Sequence, residues 1–390
     1  MKKIFSADMW AIYNFAEAND RYEKFINSNI PALKRFVESI LLYDVITIPT
    51  QDFMGLTVLI NLFGKNCISQ LLEEQSLSFT RVKGGISYAK SQGVYPLGIK
   101  DGDTGIDKPF CGSTESALVW SQSGINKNES GNKKSLTQKV LSMTREVDLK
   151  EIIGDIKLET SKDILKSQTL RSLFGFKSTD LDNLEMGENK KTYIFPGVQA
   201  FNAQTDLDVL LAITQANLEL CLMGISDSQD MSTTSPVGHL LSAKYQRSDP
   251  QPIPFDSFSY ILEIDDIPDF SQAVLHKQLD LKKIINLRNS KNAIEFRRWF
   301  HENCRTDPLR TTKEYIKLIK QVPAIESRLV KTIRFFVTQG LGLIPIPGVG
   351  QAVSTIDSFI LERFFRGKSP KFFIDKLRQV AHKATKIPSK

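Results

Sequence analysis

The sequence predicts an α/β N-terminal domain with a mainly parallel sheet and a long polar insertion, followed by a mostly α-helical C-terminal region. Three observations carry this. Strand-like and helix-periodic runs alternate over the first ninety residues, residues 84–134 turn polar, and a proline-rich stretch precedes a tail with helical apolar spacing. At 390 residues, with 41% hydrophobic and 24% charged, the chain is long enough for two or three cores and too apolar for disorder.

In chain order, Phe15 to Leu42 carries Phe25, Ile30, Leu33, Phe36, Val37, Ile40 and Leu41 at helical spacing. The β-branched run Val45-Ile46-Thr47-Ile48 then reads as a buried strand, stopped by Pro49. Residues 53–72 resume a helix with a break at Gly64, and Leu77 to Val82 alternates with period two before Gly84-Gly85. The polar insertion or long loop follows at 84–134. Helices return at 136–156 and 162–174, Tyr193-Ile194-Phe195 reads as a short strand, and an almost wholly apolar helix opens at Thr205-Asp206 and runs to Gly224. This domain is expected to span 1–247.

Ser248 to Pro254 holds three prolines in seven residues and reads as a linker. In the region 255–390 the pattern predicts a strand at 258–264, helices near 271–286, 291–303 and 312–321, an apolar hairpin at 335–365 and a basic terminal helix at 370–383. Residues 335–356 hold no charge, but Pro345, Pro347 and four glycines break them in the middle, which favours a hairpin over a spanning helix. Ser369 and Pro370 suit the cap and first turn of the last helix.

Four cysteines scattered singly suit reduced thiols, and Asp8 interrupts any signal-like apolar run, so a cytoplasmic protein of bacterial type is expected. The net charge of +7 has one source: from Leu361 to Lys390 there are nine Lys or Arg and two acids, which leaves the first 360 residues neutral.

Several chemistries fail on spacing. The glycines at 340, 342, 348 and 350 match neither a dinucleotide fingerprint nor a P-loop, so no nucleotide cofactor is expected. Four histidines far apart offer no nucleophile-base pair. Pro268-Asp269 with Asp280-Leu281-Lys282 fits the letters of a metal-nuclease motif, yet the apolar spacing around it is helical, which makes Asp269 and Asp280 helix caps. Phe296-Arg297-Arg298-Trp299-Phe300 reads as an amphipathic helix with aromatics inward.

One pattern points further. Asp8 follows the strand-like Lys3-Ile4-Phe5, Asp52 follows the strand ending at Ile48-Pro49, and Asp206 and Asp208 open the apolar helix; in this the N-terminal region resembles the PIN-domain ribonucleases. The resemblance implies that Asp8, Asp52 and Asp208 hold Mg²⁺ or Mn²⁺ and activate water against a phosphodiester of nucleic acid. It departs from that family in the length of the insertion, the closeness of Asp52 to Pro49, and Ser232-Thr233-Thr234 where a late acid is expected. The alternative is a non-enzymatic interaction protein. In it the apolar hairpin and the basic helix dock on a membrane surface or a protein partner through Arg363, Arg366, Lys368, Lys371, Lys376 and Arg378.

Overall fold

A computed structural model describes residues 1–12, 22–88, 94–100, 111–125, 133–166, 192–194, 206–244, 253–304, 311–316 and 370–385. The chain divides into two units, one of Met1–Ser39 with Tyr43–Pro252 and one of Ile40–Leu42 with Ile253–Lys390. The expected hairpin at 335–365, with Arg363, Arg366 and Lys368, lies outside the described residues.

The first unit is built on five parallel strands: β1 Lys3–Ser6, β2 Val45–Thr50, β3 Leu77–Lys83, β6 Thr144–Asp148 and β8 Asp230–Ser232, in the spatial order β6-β3-β2-β1-β8. Three further strands, β4 Gly85–Tyr88, β5 Val94–Lys100 and β7 Thr192–Ile194, form a separate antiparallel sheet in the order β4-β5-β7. The polar insertion therefore contributes strands of its own, and the strand read at Tyr193 pairs with it.

Every residue of β2 is buried, as expected of a central parallel strand covered on both faces. The helices are α1 Tyr22–Leu42, α2 Met54–Phe63, α3 Lys65–Glu73, α4 Thr114–Ser121, α5 Lys133–Ser142, α6 Leu149–Lys166, α7 Asp206–Ile225 and α8 Ser235–Lys244. Gly64 separates α2 from α3 at φ 84°, a conformation that favours glycine. A core cluster joins Phe5 and Val82 of the sheet to Ile153 and Ile156 of α6 and to Leu218 and Leu222 of α7.

Two readings are corrected here. The continuous helix expected at 136–156 is α5, the strand β6 and the start of α6. The strand expected at 258–264 is instead part of the helix α9 Ile253–Ile264, whose buried Phe255, Phe258, Ile261 and Leu262 recur at three to four residues.

The second unit continues with α10 Phe270–Leu275, α11 Leu281–Arg288, α12 Lys291–Asn303 and α13 Pro370–Thr385. Asp269 and Asp280 cap α10 and α11, accepting hydrogen bonds from the backbone amides of Gln272 and Lys282. Phe258, Phe296, Phe300 and Phe373 form an aromatic core, with the rings of Phe296 and Phe373 stacked at 4.5 Å. Among the described residues no helix is long and apolar enough to cross a membrane.

Candidate functional site

The order of the five-stranded sheet runs outward from β1 through β2, β3 and β6, and then places β8 on the other side of β1. The carboxyl ends of the strands at such a reversal are where open α/β sheets build ligand sites. Polar side chains gather at that place. β1 is apolar through Ile4 and Phe5 and ends at Ser6, after which a short 3₁₀ helix, Ala7–Ala11, carries Asp8.

Asp8 is 1% exposed. Its Oδ2 accepts a hydrogen bond from Nε of Arg35, on α1, at 2.8 Å, and its Oδ1 accepts one from Ser232, the last residue of β8, at 3.0 Å. The parallel register pairs Ser6 with Ser232, which sets the Ser6 hydroxyl 3.2 Å from that of Ser232 and 3.3 Å from Asp8 Oδ1. Arg35 also donates from Nη2 to the carbonyl of Thr233 at 3.4 Å. The Thr233 hydroxyl donates in turn to Glu219 Oε2 at 2.6 Å.

Glu219 stands on α7 one turn after Gln215, whose amide donates to Glu219 Oε1 at 2.9 Å. Burial pushes the Glu219 carboxyl up to about 7, and the nearby charge of Asp8 adds to the rise against the hydrogen bonds from Thr233 and Gln215. A carboxyl group placed this way exchanges a proton near neutral pH, the property required of a general acid-base.

Sequence patterns did not single out Glu219, since it lies between Leu218 and Leu220 in a helix read as mostly apolar. That setting is itself a signal, because an acid on the buried side of an apolar helix is rare without a partner.

Asp8 is thus at the centre of the cluster. Asp52, on the same edge of the sheet, serves the start of α2, accepting from the Met54 amide at 3.0 Å. Burial raises its pKa, and the Met54 amide and the charge of Arg81 act in the opposite direction. Asp208 lies in the first turn of α7, its side chain outside the described ones, and stands roughly 16 Å along the helix axis from Glu219.

Asp8 receives Arg35 and Ser232, Asp52 accepts from the Met54 amide, and among the described residues no group of three or more His, Cys, Asp or Glu is placed to hold a metal ion.

Arg35 neutralises a carboxylate that has almost no access to water. Replacing Asp8 by Asn is therefore expected to lower the stability of the first unit by about 2 kcal/mol, below the cost at a fully buried pair because Arg35 reaches solvent. Urea unfolding measures this, and a change under about 0.5 kcal/mol would show that the pair contributes nothing net.

Elsewhere in the first unit, Arg81 is fully buried and donates to the carbonyls of Gln51 and Gly112 at 3.1 and 2.7 Å and to Glu146 at 2.7 Å, which ties the edge strand β6 to the rest of the sheet. Lys244 joins α8 to α6 and α7 through Asp163 at 2.8 Å and Asn217 at 2.7 Å.

In the second unit, Asp265 gathers the side chains of Lys371, Arg378 and Tyr315, and its carbonyl accepts from Arg378 Nε at 2.7 Å. Lys371 and Arg378, expected among the docking cations, are thereby engaged inside the unit, while Lys376 is exposed. Comparison with protein-family models, with curated proteins and with solved structures finds no match to this chain.

Proposed function

We propose that the first unit acts on the phosphate backbone of nucleic acid, with the cluster at the carboxyl ends of β1 and β8 as its hydrolytic site. The observation that carries this reading is the continuous run of polar contacts from Glu219 through Thr233 and Arg35 to Asp8, set where the strand order reverses. Arg35 supplies a guanidinium matched to a phosphate, and Asp8 is the positioning residue that orients it.

Glu219 is the acid-base. It takes a proton from the attacking water as the new P–O bond forms, and returns a proton to the sugar oxygen as the old P–O bond breaks. The resemblance of the N-terminal region to PIN-domain ribonucleases, carried by Asp8, Asp52 and Asp208, supports the same substrate class.

The test incubates the purified full chain with labelled RNA and DNA, with Mn²⁺ and separately with a chelator, beside Glu219→Gln and Asp8→Asn variants. Turnover by the parent chain that falls about a hundredfold or more in Glu219→Gln supports the reading. Equal and negligible turnover in all three proteins under both conditions removes it.

A further inference from the structure

Helix α13 buries one side in the second unit. Phe373, Ile374, Leu377 and Ala381 are buried, and Lys371 and Arg378 turn inward to Asp265. The outward side carries Phe372, Lys376, Gln379 and Lys383, all exposed and spaced by four, three and four residues, so they form one stripe along the helix. Phe372 leaves 39% of its surface in water although the adjacent Phe373 is fully buried.

The stripe carries cations and an aromatic ring. The one carboxylate of the helix, Asp375, borders the stripe, three residues after Phe372 and four before Gln379, and its charge is answered by Lys371 at 3.0 Å and Arg378 at 3.4 Å. The surrounding sequence reinforces that sign, since the excess of seven positive charges falls within the last thirty residues.

We propose that this stripe lies on an anionic lipid surface, with Phe372 entering the boundary of the acyl chains and Lys376 and Lys383 meeting headgroup phosphates. An interfacial helix needs an apolar side chain flanked by long cationic ones that reach back to the headgroups, which is the arrangement present. Lipid is favoured over RNA by shape: single strands are held in basic grooves with rings for successive bases to stack on, and the stripe presents one ring on the convex side of a helix. Lying on the surface rather than crossing it agrees with the described helices, none of which is long and apolar enough to span.

The experiment floats the full chain with vesicles of phosphatidylcholine, with and without phosphatidylserine. It compares the parent with Phe372→Ser, with the double variant Lys376→Glu/Lys383→Glu, and with Lys282→Glu/Lys283→Glu, which reverses two exposed lysines on α11 of the same unit. The parent is expected to float only with phosphatidylserine. Each lysine is worth roughly fivefold in partitioning, so the α13 double variant loses about twenty-five-fold or more, Phe372→Ser also weakens, and the α11 variant matches the parent.

Failure of the parent to float, equal flotation of all four proteins, or an equal loss in the α11 variant overturns the proposal. So does a loss in the α13 variants confined to binding of a single-stranded RNA competitor. Flotation needs no turnover, so its failure and the failure of the hydrolytic reading are separate results.

Discussion

Replacing Asp265 by alanine is expected to cost the second unit about 3–5 kcal/mol and to release α13. Asp265 lies just after the carboxyl end of α9, where a negative charge opposes the helix dipole, and the next residue, Asp266, turns the chain with φ at 51°. Local preference thus argues against an acid there. Its neighbours explain it: Lys371 and Arg378 direct their charges to Asp265, and the fully buried Tyr315 donates its hydroxyl to the same carboxylate. Burial and the charge of Asp265 hold the Tyr315 phenol well above its usual pKa, so it remains a donor throughout the working range.

Alanine at this position takes the carboxylate away from the buried Lys371 ammonium and from the Arg378 guanidinium, which keep their contacts to Asp375, and removes the acceptor of the Tyr315 hydroxyl. The milder Tyr315→Phe removes one hydrogen bond and is expected to cost about 1 kcal/mol. Urea unfolding reads both values, and hydrogen exchange localises them: in the alanine variant the amides of α13 after Pro370 lose protection before those of α12. A loss below about 1 kcal/mol with α13 still protected would show that the cluster is replaceable by water.

What the sequence made legible follows burial. The strands β1, β2 and β3 are central or nearly so, covered on both faces, and their β-branched and aromatic runs identify them directly. The two edges were hidden for the opposite reason. β6 reads Thr-Arg-Glu-Val-Asp with two exposed positions, and β8 is the three residues Asp-Met-Ser, so neither carries a hydrophobic run. Charge and shortness are how edge strands avoid pairing with other chains, and they also remove the signal by which a strand is recognised.

The site divides in a similar way. Asp8 was legible because its position depends on β1 alone. Its partners were not, because Arg35, Glu219 and Ser232 lie 27 to 224 residues further along the chain and meet it only through the order of the sheet. In α9, five polar or proline positions mixed among aromatics and isoleucines imitate a strand over a short window, and only the longer three-to-four spacing of buried residues reveals the helix.

The variant Glu219→Gln separates a functional acid from a structural one, because the two roles predict opposite changes in stability. The site raises the Glu219 carboxyl from 4.5 to about 7, so the folded chain holds that proton more tightly than the unfolded chain does. Below pH 4.5 the group is protonated in both states and costs nothing. As the pH rises from 4.5 through about 7 the unfolded chain gains by releasing its proton first, and above that window the folded state carries a penalty of about 3 kcal/mol.

The neutral amide removes the titration and keeps the shape. At pH 8 the variant is expected to be more stable than the parent by up to about 3 kcal/mol and equal to it below pH 4.5, with the melting temperature of the parent falling relative to that of the variant between those limits. In the same variant turnover of nucleic acid is expected to fall about a hundredfold or more, since an amide takes no proton from water. Activity gained at the expense of stability is the mark of a group retained for its chemistry. Parallel pH-stability curves for the two proteins, or a variant less stable at every pH, would make Glu219 a structural partner of Thr233 and leave Arg35 and Asp8 without a base.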